Sequence, residues 1–309
     1  MEKNLYPLRG IVTVLNTPFT MTGEVDYISL KKNIIEALKA GVNGFLVPAM
    51  ASEINNLTHK ERLKIVETTL IFSDGKVPVF AGLSETNFSR SIELLKSYLK
   101  LGCKQILFQI PFTNENQFKY KFSKLAELQP EVIMLQDWDQ TGYGLPDHLI
   151  VDLFEQTDSF RCIKIETIPA SVKYSKLIKL TNNQLSISGG WAVTQMIEGL
   201  MRGIHAFMPT GMHWIYSEIF NLWMNGKTLD AASLFNKVLP SLAFSNQHID
   251  ISIQFFKRLL NRQGIYSTST TRPLEYSFDS IHEQISKDHM NTIIKIEEEI
   301  KHKNFREKI

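Results

Sequence analysis

The segment VPVFAGLSETNFSRSIELLKSYLKLGCKQILFQ, residues 77–109, contains one complete copy of the pattern that runs through this chain. It begins and ends with short apolar runs, 77–81 and 105–109, of the kind that favours strands. The stretch between them opens at Asn87 and closes at Gly102, residue types that favour the start and the end of a helix. The segment therefore predicts a strand, a helix and a second strand, which is the unit of parallel sheets.

The same alternation extends to both sides of this segment. Eight repeats of strand and helix are the pattern of a (β/α)8 barrel. A doubly wound open sheet is the alternative, but no GxGxxG motif follows the first predicted strand, which disfavours it. The eight predicted strands are 11–15, 44–48, 77–81, 105–109, 132–136, 162–166, 184–188 and 206–209.

The strand pattern stops near residue 227, and three helical stretches follow, at 228–244, 249–264 and 280–303. No low-complexity linker separates them from the preceding repeats. We therefore expect an α/β fold in which residues 1–226 form a (β/α)8 TIM barrel and residues 227–309 form a helical region packed on it.

Composition excludes several classes of protein. A hydrophobic content of 43% and a net charge of +2 in 309 residues are typical of a globular protein, and no basic cluster interleaved with aromatic residues indicates a nucleic-acid partner. Cys103 and Cys162 lack the spacing of a zinc site, so we expect two buried free thiols and no metal. The chain lacks an apolar run of the roughly 18 residues that span a bilayer, so we expect a cytoplasmic protein without a membrane partner.

One predicted strand carries charges. In RCIKIETIPA, residues 161–170, side chains alternate between two faces, so Lys164 and Glu166 point to the same side as Cys162. Charges on an inner face are costly unless they are paired or used. The residues alone leave two interpretations open, a structural ion pair or a reactive amine beside a carboxylate.

The predicted barrel favours the second interpretation. Active sites of such barrels lie at the carboxyl ends of the strands, and Lys164 and Glu166 are near that end of the sixth strand. An amine in apolar surroundings is easier to deprotonate, and the neutral amine can form a Schiff base with a carbonyl compound. Glu166 lies about 6.5 Å further along the strand and is a candidate acid/base. Its alternative role is a salt bridge that only keeps Lys164 charged.

The chain resembles the dihydrodipicolinate synthase and N-acetylneuraminate lyase family of class I aldolases, whose members are (β/α)8 barrels with a helical C-terminal part. The resemblance spans nearly the whole sequence, and each motif is weak by itself, but together they are specific in order and spacing. The motifs are LRGIVTVLNTPF (8–19), VNGFLVPAMASEINNLTHKER (42–62), VPVFAGL (77–83), ILFQIPF (106–112), TG (141–142), CIKIE (162–166), SGG (188–190) and RGIHAFM (202–208).

The resemblance implies an activity and a site. Lys164 matches the Schiff-base lysine of the family, which acts on 2-oxo acids such as pyruvate without a cofactor and is often tetrameric. We therefore expect a lyase that forms a homo-oligomer, a dimer or a tetramer, and whose partner is a small carbonyl substrate. The residues expected to bind that substrate are Ala51, Ser52, Gln136, Asp137, Ser188, Gly189 and Gly190.

The chain also departs from the family at the expected site. The two threonines of the family's carboxylate-binding Gly-Thr-Thr-Gly-Glu loop are replaced by Met50 and Ala51. The proton-shuttling tyrosine is replaced by Leu135 or Gln136, depending on whether the count starts from Thr141–Gly142 or from Lys164. Two further replacements are Gln140 for an arginine and Thr113 for a second tyrosine.

These departures disfavour true dihydrodipicolinate synthase activity. A Schiff-base lyase or aldolase acting on another 2-oxo acid or related carbonyl compound is the leading interpretation. Two alternatives stay open at this stage: a dehydratase of a sugar-derived 2-oxo acid, and a barrel that has lost catalysis and binds a small molecule.

Overall fold

A computed structural model describes residues 3–85, 87–139, 141–190 and 193–306. Eight parallel strands close into a barrel in sequence order, and the first strand pairs with the eighth. The predicted (β/α)8 fold is confirmed. The strands are β1 (Gly10–Val14), β2 (Gly44–Leu46), β3 (Val79–Ser84), β4 (Gln105–Gln109), β5 (Val132–Asp139), β6 (Phe160–Thr167), β7 (Ser186–Gly189) and β8 (Ala206–Phe207).

Helices alternate with the strands and then continue alone. The described part of the chain has no helix that is both long and apolar enough to cross a bilayer. The helices are α1 (Tyr27–Lys39), α2 (His59–Ser73), α3 (Phe88–Lys100), α4 (Glu115–Ala126), α5 (Asp147–Gln156), α6 (Ala170–Leu180), α7 (Met196–Met201), α8 (His213–Met224), α9 (Thr228–Ser245), α10 (Ile249–Arg262) and α11 (Ser280–Arg306).

One strand is longer than the sequence predicts. The polar run from Asp137 to Asp139 indicates a loop, yet β5 continues through it. The reason is pairing with β6, because Asp137, Trp138 and Asp139 lie opposite Ile165, Glu166 and Thr167 and extend the ladder between the two strands. This extension brings the side chain of Trp138 to the mouth of the barrel.

Two apolar layers follow from the alternation of side chains along the strands. Inward-facing residues such as Phe80, Leu107 and Met134 fill the barrel, while outward-facing residues pack against the surrounding helices. Cys162 belongs to the inner layer and Cys103 to the outer one, and both are buried free thiols, as predicted. Burial raises the pKa of the Cys103 thiol to about 12.

The last three helices pack over one side of the barrel mouth. Helix α9 lies against α8, α10 lies against the short 3-10 turn Met50–Ser52 after β2, and α11 contacts both α8 and α9. Lys301 of α11 forms an ion pair with Glu36 of α1, with 2.6 Å between the amine and the carboxylate. The C-terminal helices therefore pack directly against α8, α1 and the turn after β2.

A buried carboxyl group on α11 contacts this packing interface. Glu297 accepts hydrogen bonds from the backbone N–H of Trp214, at 3.2 Å, and from the side-chain amide of Gln263. Burial raises the pKa of Glu297 to about 7 from 4.5, so the folded protein binds a proton here that the unfolded chain has released.

We expect Glu297→Gln to raise the free energy of unfolding, relative to wild type, more at pH 8 than at pH 4.5. Between pH 4.5 and pH 7, which are the pKa values of Glu297 in the unfolded and the folded protein, the folded state holds the extra proton. The free energy of unfolding of the wild type therefore falls as the pH rises toward 7. The variant keeps the shape and cannot ionise, which predicts a relative gain on the order of 3 kcal/mol. Denaturant unfolding of both proteins at the two pH values measures it. A difference that does not change with pH would contradict the prediction, since all other titrating groups are shared.

Candidate active site

Lys164 lies inside the barrel, near the carboxyl end of β6. Its amine is 3.0 Å from Oε1 of Glu166, and only 7% and 6% of the two side chains are exposed. The alternation along β6 therefore places both groups where the sequence indicated, on the inner face with Cys162. Gln136 of β5 lies directly opposite Lys164, and Trp138 lies opposite Glu166.

Gln136 holds the second oxygen of the glutamate. Its side-chain amide donates a hydrogen bond to Oε2 of Glu166, while Lys164 binds Oε1. Leu135 belongs instead to the outer apolar layer. The structure therefore decides between the two alternatives that the sequence left open, and Gln136 occupies the inward position beside the lysine.

Gly190 makes room for this arrangement. It follows β7 directly, and a methyl group at its Cα would overlap the Cγ, Cδ and Oε1 atoms of Glu166. Any larger residue must therefore displace the carboxylate from Lys164. This contact favours glycine at position 190 as long as the carboxylate of Glu166 stays beside Lys164.

We expect Gly190→Ala to destabilise the fold by about 1–3 kcal/mol, because the added methyl group overfills a packed site. Thermal or denaturant unfolding measures the change. The matched control is the double variant Gly190→Ala/Glu166→Ala, which removes the atoms that the methyl group would overlap and should recover most of the loss. If the double variant is as unstable as the sum of the single ones, the overlap is not the cause.

Lys164 lines a small chamber of about 60 Å³ at the barrel mouth. The loop after β2, with Ala49, Met50 and Ala51, forms one side of it. Helices α8, α9 and α10 close the other sides with Tyr216, Leu242, Asn246, Ile249, Ser252 and Phe256. The C-terminal helical region therefore provides much of the wall around the lysine.

A second and much larger cavity adjoins this chamber. It is an open groove of about 1250 Å³ between the loops that follow β2 to β5, and Lys164 does not line it. Trp138 lines both cavities and is 41% exposed, so it lies where the groove and the chamber meet. We assign the candidate active site to the smaller cavity, because the paired amine and carboxylate are there.

The loop after β2 is held by its own polar groups. The hydroxyl of Ser52 accepts a hydrogen bond from the N–H of Ala49 and donates one to the carbonyl of Leu15. The carbonyl of Ala51 accepts one from Asn16 at 2.6 Å. The Ser52 hydroxyl is thus occupied in shaping the loop, whereas Ala51 lines the chamber.

Asp137, an expected substrate ligand, points away from the chamber. Its outward-facing carboxylate forms a buried ion pair with Lys173 of α6 and accepts a hydrogen bond from the N–H of Leu145 at 2.8 Å. It also borders the groove, but the carboxylate itself is neutralised behind the strand. Alternation along β5 sends positions 136 and 137 to opposite faces, and substrate binding by Asp137 stays a prediction.

The expected residues of β7 have different surroundings. Ser188 lies next to Lys164 in the sheet, and its buried hydroxyl has no hydrogen-bond partner among the described residues. Gly189 faces outward, where it packs against Tyr174 and Phe207. Gln140, one of the replacements at the expected site, lies outside the described residues. In the described part of the chain, no three His, Cys, Asp or Glu side chains form a group suited to a metal ion.

Two other lysines are buried in the described part of the chain, and neither lines the chamber. Lys173 is bound by Asp137 and by the carbonyls of Tyr143 and Leu145. Lys257 of α10 is bound by Glu53 and the carbonyl of Thr270, and burial lowers its pKa to about 8. Both amines are enclosed by their partners, so they serve to attach helices to the barrel.

Sequence reasoning missed most of the chamber wall, including Trp138, Tyr216 and Asn246. Trp138 follows the inward alternation of Met134 and Gln136 along β5, a signal that the apparent loop concealed. Tyr216 and Asn246 belong to helical segments whose pattern indicates only a buried face. No feature of the sequence could have brought them to Lys164.

Known proteins are similar to this chain in sequence. A profile described as the dihydrodipicolinate synthetase family matches residues 7–293. An uncharacterized DapA-like lyase of Pyrobaculum arsenaticum is 27% identical, over 77% of this chain and 80% of its own. A 4-hydroxy-tetrahydrodipicolinate synthase of Oceanobacillus iheyensis is 28% identical, over 74% and 79%. An L-2-keto-3-deoxyarabonate dehydratase of Azospirillum brasilense is 25% identical, over 85% and 87%.

Solved structures share the fold. The dihydrodipicolinate synthase from Rhodopseudomonas palustris superposes with a TM-score of 0.86 at 19% identity and covers 94% of this chain and 99% of its own. YagE, a prophage protein from E. coli K12 solved in complex with pyruvate, has a TM-score of 0.84 at 19% identity and covers 93% and 99%. At these identities the likeness establishes the barrel and its C-terminal helices.

Proposed function

This chain belongs to the dihydrodipicolinate synthetase family and is a lyase, and from that premise we propose that Lys164 forms a Schiff base with a short 2-oxo acid. The observation that carries the proposal is the position of Lys164, which lines the chamber and has a carboxylate 3.0 Å from its amine. The other buried lysines of the described residues, Lys173 and Lys257, are enclosed in ion pairs elsewhere.

The proposed chemistry follows from these two groups. The neutral amine of Lys164 adds to the carbonyl carbon, and the carbonyl oxygen leaves as water with one proton from the amine and one proton from solvent, which leaves a protonated imine. The imine withdraws electrons from the neighbouring carbon. That carbon can then lose a proton, or a carbon–carbon bond to it can break. Glu166 takes and returns the proton, and the hydrogen bond from Gln136 keeps its carboxylate oriented. Glu166 thereby takes over the role of the absent tyrosine.

Chamber size limits the substrate. A volume of about 60 Å³ equals the liquid volume of about two water molecules, so the chamber favours a substrate as small as pyruvate. The complex of YagE with pyruvate supports the same class of compound. A longer substrate would have to extend past Trp138 into the groove.

We further propose that the protein is not a true dihydrodipicolinate synthase. The side chains of Met50 and Ala51 offer no hydroxyl to a carboxylate, and the amide of Gln136 cannot shuttle a proton as a phenol does. Because the relatives include a 4-hydroxy-tetrahydrodipicolinate synthase, synthase activity has to be measured directly. Condensation of pyruvate with aspartate semialdehyde should stay well below about 1 turnover per second, the lower end of ordinary enzyme rates.

A dehydratase acting on a sugar-derived 2-oxo acid is the second candidate. The similarity to L-2-keto-3-deoxyarabonate dehydratase supports it, and the groove beyond Trp138 has room for a hydroxylated tail. Both candidates begin with the same imine and differ in the bond that breaks next.

Borohydride reduction with a panel of 2-oxo acids, followed by intact mass measurement, tests the proposal. We expect one pyruvate-derived adduct on Lys164 and a weaker one with longer acids. Product analysis with 2-keto-3-deoxy acids then separates carbon–carbon cleavage from loss of water. If every acid leaves the mass unchanged, the Schiff-base proposal fails and the interpretation as a non-catalytic binding barrel replaces it.

We expect Trp138→Ala to admit longer substrates. Removing the indole ring joins the chamber to the groove, so trapping by 2-oxohexanoate should rise about tenfold or more relative to pyruvate. Phe112→Ala is the matched control, because Phe112 lines the groove alone. An unchanged ratio of the two trapping rates in Trp138→Ala would show that the ring does not limit the chamber.

Two expectations from the sequence stay predictions. Light scattering of the purified protein tests the expected dimer or tetramer. Cell fractionation tests the expected cytoplasmic location.

A further inference from the structure

A chain of buried hydrogen bonds connects α8 with the loop that follows β2. It starts where the hydroxyl of Thr13 lies 3.2 Å from Nδ1 of His213, and Nε2 of His213 lies 2.8 Å from Oδ1 of Asn33 on α1. The side-chain amide of Asn33 then donates a hydrogen bond to the hydroxyl of Tyr266 at 3.0 Å. Each of these side chains is at most 3% exposed, so water does not compete for the bonds.

The chain then reaches the wall of the chamber. The hydroxyl of Tyr266 donates a hydrogen bond to the backbone carbonyl of Asn16 at 2.7 Å, and the side-chain amide of Asn16 donates one to the carbonyl of Ala51 at 2.6 Å. Ala51 lines the chamber together with Lys164. Tyr266 follows α10, so a residue of the C-terminal region is joined to the chamber wall through Asn16 alone.

The donors of this chain all point the same way, toward the chamber. The amide nitrogen of Asn33 is used on Tyr266, so its oxygen faces His213, and Nε2 of His213 carries the ring proton. Burial lowers the pKa of His213 to about 4 from 6.5, so the ring is neutral near pH 7 and its Nδ1 accepts from Thr13. Because Asn33 donates to the oxygen of Tyr266, the hydroxyl proton of Tyr266 is left to bind Asn16.

Removing the hydroxyl of Tyr266 breaks the chain at its centre. The carbonyl of Asn16 and the amide of Asn33 each lose a partner in the protein interior. A buried polar group without a partner is unfavourable, so the backbone at Asn16 shifts toward another donor. The side chain of Asn16 moves with its backbone, and the hydrogen bond that holds Ala51 is displaced.

The far end of the loop is attached independently of this chain. Glu53 is bound by the amine of Lys257 on α10 and by the backbone N–H of Arg272 at 2.9 Å. A break at Tyr266 therefore loosens Ala51 while the end of the loop stays in place.

We propose that Tyr266 and Asn33 are positioning residues for the 2-oxo acid. They fix the backbone of Asn16, whose side chain holds Ala51 in the chamber wall. Neither Tyr266 nor Asn33 lines the chamber, so both act through the loop. The inference rests on the proposed function, because it concerns the chamber in which Lys164 is proposed to bind its substrate. It gives the segment after α10 a part in setting the shape of that chamber.

The first test is borohydride trapping over a range of pyruvate concentrations, with wild type, Tyr266→Phe and Asn33→Leu. It gives a half-saturating pyruvate concentration and a maximal rate for each folded protein. We expect the half-saturating concentration to rise about three- to thirtyfold in both variants, because the displaced wall changes the shape of the chamber. The maximal rate should stay within about threefold of wild type, since Lys164 and Glu166 belong to β6 and lie outside the chain.

The second test is hydrogen–deuterium exchange of peptides that cover residues 49–53. Exchange there should become about tenfold faster or more in both variants, because a loosened loop opens more often. The matched control is Tyr98→Phe on α3, which removes another buried tyrosine hydroxyl, one that donates to the carbonyl of Gly82. The control should leave both measurements within about threefold of wild type.

A double variant shows whether the two residues act through one chain. In that case Tyr266→Phe/Asn33→Leu should shift the half-saturating pyruvate concentration by no more than about the larger of the two single shifts. Single shifts that multiply in the double variant would mean that the two side chains affect the chamber separately, which contradicts the chain.

The outcomes also separate this inference from the proposed function. If wild-type protein traps pyruvate on Lys164 and both variants half-saturate at the wild-type concentration, the positioning role is wrong and the Schiff-base proposal stands. Faster exchange near residue 266 without any change at residues 49–53 would likewise show that Tyr266 only supports its own segment. If wild-type protein traps no oxo acid on Lys164, both proposals are wrong.

Discussion

Lys164→Ala should abolish the borohydride-trapped adduct with pyruvate. The variant removes the amine of a residue that lines the chamber, and Lys173 and Lys257 cannot replace it, because ion pairs and carbonyls enclose their amines. Intact mass measurement of wild-type and variant protein after reduction gives the result directly. Peptide mapping of the wild-type adduct should place all of the added mass on the peptide that contains residue 164.

The control for this experiment is Lys164→Arg, which keeps a positive charge beside Glu166 but cannot form an imine. We expect the arginine variant to unfold at nearly the wild-type temperature and to trap no pyruvate. An adduct that persists in either variant, or that maps to another lysine, contradicts the assignment of the nucleophile.

Glu166→Gln should separate imine formation from the proton transfer that follows it. The amide keeps the size of the side chain and can still hydrogen-bond, so pyruvate should still be trapped on Lys164. It cannot accept a proton from carbon, so exchange of the pyruvate methyl protons with D₂O should slow by about 10²–10⁴-fold. Proton NMR follows the exchange and requires no knowledge of the second substrate.

A matched control comes from the groove. Glu85 is mostly buried and pairs with Arg62 at 2.7 Å, and it lines the groove rather than the chamber. Glu85→Gln removes a comparable carboxylate and should leave the exchange rate within about threefold of wild type. Exchange at the wild-type rate in Glu166→Gln would return Glu166 to the role of a structural counter-ion for Lys164.

Much of the barrel could be predicted because its signals are local. Each strand and helix has its own periodicity and its own capping residues, and Asn87 and Thr58 cap α3 and α2 as their residue types indicate. The order of elements then leaves few topologies, since parallel strands joined by helices form a barrel or an open sheet. Strand ends were less predictable, as β5 shows, because pairing with β6 extends it through polar residues.

The positions of Lys164 and Glu166 could also be predicted, because two residues on one strand have a known relation. Alternation alone places Lys164 and Glu166 on the same face, and barrel geometry places that face in the core. The same rule, applied in the right register, would have sent Asp137 outward. The register was ambiguous in the sequence because Leu135 and Gln136 both fitted a count from a neighbouring motif.

The linear pattern of residues thus predicted the fold class and the positions of Lys164 and Glu166, since these depend on periods of two and of three to four residues along the chain. Only the tertiary structure decided what surrounds them. Tyr216 and Asn246 reach the chamber from α8 and the end of α9, whose packing over the barrel mouth no local period encodes. Contacts between residues far apart in sequence depend on how whole helices pack, and the shape and hydrogen-bonding groups of the chamber arise from that packing.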